Sequence, residues 1–101
     1  MTDPDKFLSD VRPEWVFWFC NGTVARNIYE LVSTIELLDE DSFKYHVNTD
    51  KMKNDFAKWI SEVLGDKKLA KNLDGVLEKR KYANKIRKRI KKLEKEILTD
   101  L

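Results

Sequence analysis

His46 is the only histidine and Cys20 the only cysteine among 101 residues. Together they could make a nucleophilic pair, because an imidazole that takes up a thiol proton generates the reactive thiolate. Cys20, however, ends the aromatic run Trp15-Val16-Phe17-Trp18-Phe19-Cys20, where a thiol is ordinarily inert packing. One His with one Cys also lacks the donor spacing of a zinc site. The reading favoured for His46 is a partly buried ring bonded to an Asp or to a helix-end carbonyl; a base, a ligand or a pH-sensitive contact is the alternative. Asn48, Asn54 and Asp55 lie close by in sequence and complete a polar cluster with His46. Such a cluster at a helix start could hold a small anion, but Asp55 would repel one, and Asn and Asp at such positions cap helices. The chain has no Gly-rich phosphate loop, paired-carboxylate motif or nucleophile elbow. No metal, cofactor, small-molecule substrate or enzymatic activity is expected.

The strongest site-like feature is electrostatic. Residues 1–75 hold ten Lys/Arg and fourteen Asp/Glu, a net of −4, whereas residues 76–101 hold ten and four, a net of +6. Within the basic segment, Ala83, Ile86, Ile90, Leu93 and Ile97 recur at alternating steps of three and four, which makes an apolar seam of two to three heptads. Cations surround it. The seam could dock on its own domain, pair with a second copy or receive a partner helix, and assembly through it is the expected role. Lys81, Lys85, Arg87, Lys88, Arg89 and Lys92 are the candidate phosphate contacts if the partner is nucleic acid instead. A membrane is a weaker candidate, because the polar face is wide and the seam has no aromatic residue.

Those residues need elements to hold them. Glycine and proline number three and two, which disfavours a turn-rich β fold. Val24, Ile28, Leu31, Val32, Ile35 and Leu38 predict a helix from about 24 to 39 with Thr23 as its cap. A short helix is expected through Phe43 to Val47. Met52, Phe56, Trp59, Ile60, Val63 and Leu64 share one side of a helix over 51–64, which Gly65 should end in the left-handed conformation. Asp66 should cap a helix bearing Leu69, Ala70 and Leu73, and a last helix should run from Val76 to about Leu98. The run Trp15–Cys20 could be an extended segment or a helical turn, and Asn21-Gly22 breaks it. Core packing is the favoured reading of Trp15, Trp18 and Trp59.

Three segments look familiar: Ser42-Phe43-x-Tyr45-His46-Val47-Asn48, Lys53-Asn54-Asp55-Phe56-Ala57-x-Trp59-Ile60, and Val63-Leu64-Gly65-Asp66-x-x-Leu69-Ala70. They resemble a family of small archaeal and bacterial domains of unknown function, which also occur fused to larger proteins such as glycosyltransferases and regulatory proteins. The resemblance covers roughly residues 15–75 and implies a compact helical accessory domain without established catalytic residues.

The expected fold is therefore all-α, a compact bundle of four or five helices with a long basic C-terminal helix. Residues 1–14 should be a polar lead-in, 15–75 the globular domain and 76–101 the basic helix. The expected core is Phe19, Ile28, Leu31, Ile35, Phe56, Trp59, Ile60, Val63 and Leu69. A single cysteine and an acidic N-terminus unlike a signal peptide point to the cytoplasm.

Overall fold

A computed structural model of the protein describes residues 3–99. The aromatic run is extended, and Asn21-Gly22 turns it back on itself. Gly22 takes φ of 87°, its N–H donates to the Phe19 carbonyl (3.0 Å), and the Phe19 N–H donates to the Thr23 carbonyl (2.8 Å). An antiparallel hairpin results, β1 (Phe17–Trp18) with β2 (Val24–Ala25), in which Phe17 faces Ala25 and Trp18 faces Val24. Strand alternation buries Phe17 and Phe19 and sends Trp18 and Cys20 to the surface. Trp15 and Trp18 are 55% and 67% exposed, so the core placement expected for them is wrong, as is the packed position expected for Cys20. The same hairpin shortens the next helix. Val24 is spent on β2, and α2 (Ile28–Leu37) starts from Asn27, whose side chain accepts from the Glu30 N–H (2.8 Å).

A second antiparallel pair joins β3 (Val47–Asn48) to β4 (Lys53–Asn54) directly after α3 (Glu40–His46). Its turn places Met52 in the left-handed region at φ 50° with its side chain 95% exposed. That backbone breaks the helical register, so Met52 leaves the apolar stripe assigned to it. The helix begins only at α4 (Asp55–Trp59), which widens into a π-helical turn over Ile60–Leu64. Both the Gly65 and Asp66 N–H groups donate to the Ile60 carbonyl there (2.9 and 3.1 Å). The widened turn rotates Val63 outward to a half-buried position; the other eight expected core residues are buried. The two small sheets correct the all-α expectation. The described residues form a mixed but helix-rich fold with six α-helices, the others being α1 (Pro4–Leu8), α5 (Lys67–Asn72) and α6 (Lys79–Thr99).

Neither the first nor the last described helix is an appendage. Pro4 and the Asp3 cap start α1, which buries Phe7 and packs on α6, so the expected polar lead-in belongs to the fold. Helix α6 lies against α1, α2 and α5 and buries Tyr82, Ala83, Ile86, Ile90 and Leu93. Its mean composition is polar, yet the stripe at steps of three and four gives it a full apolar face to bury. Tyr82 enters an aromatic cluster, with its ring centroid 5.4 Å from Phe43 and 5.8 Å from Phe56.

Asn54 ties these elements together. Its Oδ1 accepts from the Ala57 N–H (3.3 Å) and so caps α4, and it also accepts from the Tyr82 hydroxyl. Its Nδ2 donates to the Leu73 carbonyl at the end of α5 (3.2 Å). Loss of a cap and of buried hydrogen-bond partners together predicts that Asn54→Ala lowers the unfolding free energy by about 2–4 kcal/mol in urea titration. Burial also pushes the Tyr82 phenol above the ordinary tyrosine range. The folded state favours the neutral phenol, so its contribution to stability is complete below the unfolded pKa of about 10 and is lost as pH rises beyond it. Base-induced unfolding should therefore shift to higher pH in Tyr82→Phe, once each variant's stability at neutral pH is subtracted.

Candidate functional site

Helix α3 ends where β3 begins, and that junction carries His46 into the core at 3% exposure. Its Nε2 accepts from the Cys20 backbone N–H (3.0 Å), and its Nδ1 lies 2.9 Å from Asp55 Oδ2. An Nε2 that accepts carries no proton, so the proton sits on Nδ1 and is donated to Asp55. The imidazole thus meets the backbone of Cys20, which occupies the lone pair a general base would need. His46 closes the outer edge of β1, while the Val11 N–H, bonded to the Arg26 carbonyl (2.7 Å), secures the chain just after β2. Asp55 also meets Lys53 (3.2 Å), whose ammonium lies 3.8 Å from the Tyr45 ring centroid. Asn48 accepts from the Asp50 N–H (3.0 Å) and caps the 3-10 turn Thr49–Lys51. The structure therefore joins His46 to Asp55 and assigns Asn48 and Asn54 to caps. Among the described residues, no group of three or more His, Cys, Asp or Glu could hold a metal ion.

The seam of α6 is filled from within the chain. Ala83, Ile86, Ile90 and Leu93 are buried, and Ile97 is half-buried beside Leu8 and Tyr29. A partner helix could reach this seam only by displacing α6 from its own core.

The cations of α6 fall into two groups. On the flank toward α2, Lys79 Nζ donates to the Glu36 and Leu38 carbonyls (3.2 and 2.6 Å). Arg87 holds Glu36 through two bonds of 3.1 and 2.6 Å, which keeps that carboxyl below the usual carboxylate range and raises the guanidinium. Arg89 is buried. It forms a bidentate pair with Asp66, Nε to Oδ2 at 2.8 Å and a terminal nitrogen to Oδ1 at 3.0 Å, with side-chain exposures of 5% and 3%. Arg87 and Arg89, expected at a phosphate, are thus both paired within the chain, Arg89 in the interior and Arg87 in a half-exposed pair on the surface. Carboxylates 51 and 23 residues away satisfy them.

The remaining expected contacts stay exposed. Lys81, Lys85, Lys88 and Lys92 follow one another at steps of four, three and four along the flank toward α5 and solvent. They span about 16 Å of helix. Lys81 meets Glu78 at 3.8 Å, an exposed pair of little strength. The strip continues on α5, where Lys67, Lys68 and Lys71 are also exposed. The Lys68 ammonium titrates below the ordinary lysine range, chiefly because Lys92 stands beside it. Sequence reasoning passed over the α5 lysines because they lie in the half of the chain whose net charge is negative. The Lys67-Lys68-x-x-Lys71 spacing was the available signal.

Fold and site together define a small helix-rich domain closed by a basic final helix that carries a lysine face. The chain belongs to a family of unknown function, DUF5752, whose model matches residues 10–100. That match takes in α6, which the resemblance over residues 15–75 left outside. No curated protein and no solved structure matches the chain. No helix among the described residues is long and apolar enough to cross a membrane.

Removing one partner of a buried ion pair leaves the other charge uncompensated. Arg89→Met should therefore cost about 3–5 kcal/mol in equilibrium unfolding. Adding Asp66→Asn, which keeps an N-cap and removes the stranded charge, should restore most of that loss.

Proposed function

We infer that the protein is a non-catalytic accessory module that binds duplex nucleic acid through the phosphate backbone. The observation that carries this reading is the sorting of cations on α6. Arg89 is buried against Asp66 and Arg87 is paired with Glu36 at the surface, whereas Lys81, Lys85, Lys88 and Lys92 line one open flank and continue onto α5. Lysines are compact point charges suited to phosphate oxygens, and base-edge readout favours Arg, Asn or Gln. The binding is accordingly independent of sequence. The exposed tryptophans, Trp15 and Trp18, belong to the first hairpin and the turn before it rather than to α5 or α6. That argues against a single-strand platform, which stacks bases on aromatic rings, and against a membrane, which takes up apolar anchors. Assembly through the α6 seam is disfavoured by the burial of Ile86, Ile90 and Leu93 in the chain's own core. Duplex nucleic acid is present in the cytoplasm, the compartment expected for a chain with one free thiol.

Fluorescence anisotropy with a labelled duplex of mixed sequence tests the reading. Binding should weaken with salt at a log–log slope of about −4 if four lysines each neutralise one phosphate. Lys85→Glu with Lys88→Glu should lessen the slope by about two and leave the circular dichroism spectrum unchanged. Absence of binding at low salt overturns the reading, and so does retention on phosphatidylserine vesicles without retention on the duplex.

A further inference from the structure

The hairpin of β1 and β2 is tied to the rest of the fold at both ends. At its base, the Trp15 carbonyl accepts from the Trp59 indole N–H (2.7 Å), and the Val11 N–H donates to the Arg26 carbonyl (2.7 Å). Near its tip, the Cys20 N–H donates to His46 Nε2 (3.0 Å). These ties differ in kind. Indole and amide groups keep their protons throughout the physiological pH range, so the base holds at any such pH. The tip depends on the lone pair of an imidazole, and imidazole is the side chain that gains a proton in that range. The ring itself is 3% exposed, but Cys20 and Asn21 lie in solvent. Water therefore begins directly beyond this bond.

We propose that His46 is a proton-operated latch on the hairpin: a proton taken up at Nε2 releases Cys20 and frees the hairpin tip, while the ring stays on Asp55. Imidazolium has two donors and no acceptor. Two N–H groups would then oppose each other across 3.0 Å, and one must withdraw. The other ring nitrogen decides which. Nδ1 lies 2.9 Å from Asp55 Oδ2, and that bond becomes charge-assisted once the ring is positive. The ring is also packed against Phe56, with centroids 5.0 Å apart, whereas the Cys20 N–H has water to turn to. The tip therefore moves, and Phe19, which meets the His46 ring at 5.9 Å between centroids, moves with it. The groups around the latch come from several elements. Asp55 of α4 favours the proton, and Lys53 of β4, 3.2 Å from the same carboxylate oxygen, opposes it. Tyr45 of α3 presents its ring 5.0 Å away, and Tyr82 of α6 has its hydroxyl held by Asn54. Cys20 contributes its backbone N–H. The lysine strip on α5 and α6 takes no part, so the latch is independent of the nucleic-acid reading.

NMR on the full chain tests the latch from about pH 8 to about pH 5. The His46 ring signals and the Cys20 amide signal should change together, with one midpoint. Hydrogen exchange, corrected for the intrinsic effect of pH, should show the Cys20 amide losing protection by about three- to tenfold as the ring becomes charged, the loss expected for one hydrogen bond. The Ile90 amide of α6 should keep its protection, which separates a local opening from acid unfolding of the whole domain. His46→Gln supplies an acceptor that does not titrate, so Cys20 protection in that variant should be the same at both ends of the range. A Cys20 amide unmoved while His46 titrates overturns the latch. So does a ring that takes up no proton above about pH 5. Equal loss of protection at Cys20 and Ile90, or an acid loss at Cys20 that persists in a folded His46→Gln, also overturns it. If His46→Gln does not fold, the wild-type titration decides alone, because the shared midpoint and the contrast with α6 need no variant.

Discussion

Asp66 meets two demands at once. One carboxylate oxygen accepts from the Leu69 N–H and begins α5, and both oxygens receive the guanidinium of Arg89. A carboxylate removed from water is costly unless its lone pairs are filled, and here the helix cap and the planar fork of arginine fill them together. The pair gains little net stability over an apolar isostere, as is usual for buried ions. What it fixes is geometry, because a bidentate pair tolerates only a narrow range of positions of α6 against α5. The lysine strip and the burial of the α6 seam both inherit that position.

A second set of constraints sits two turns earlier on α6. Tyr82 passes into the aromatic cluster and delivers its hydroxyl to Asn54, which is already the cap of α4 and a donor to the end of α5. His46 works in the same manner nearby, with one ring nitrogen on the hairpin backbone and the other on Asp55. Each of these polar side chains joins segments distant in sequence and leaves no buried polar side-chain atom without a partner among the described residues. A chain of this size buries a modest apolar core, so saturated polar junctions of this kind give the fold much of its specificity. They also account for the polar cluster around residues 46–55 without recourse to catalysis.

The proposed function follows from what is left over. Cations that find a carboxylate or a carbonyl within the chain stop being available to a partner, and those toward α2 are used in this way. Cations toward α5 stay in solvent and reinforce each other's field, which raises the local concentration of polyanions. The contrast between Arg87 and Arg89, paired within the chain, and a lysine set left in solvent suits adhesion to a phosphate backbone better than the reading of bases.

Much of this was legible in the residues alone. Apolar steps of three and four located the stripes of α2, α4 and α6, and eight of the nine expected core positions are buried. Gly65 at φ 86° and Asp66 as a cap followed from local backbone chemistry, and so did the long last helix. The hairpin was written there too, since Asn-Gly between apolar residues is a strong turn signal, but an unbroken aromatic run masked the alternation that shows only once the strand is placed. Met52 was beyond reach, because periodicity assigns a face and cannot foresee a left-handed backbone that ends the register. The largest gap concerned α6. Its pattern fixed which side is apolar, but a seam looks the same whether a partner or the chain itself covers it. Which arginines remain free depends on Glu36 and Asp66, far away along the chain, and only the folded structure brings those charges within hydrogen-bonding range.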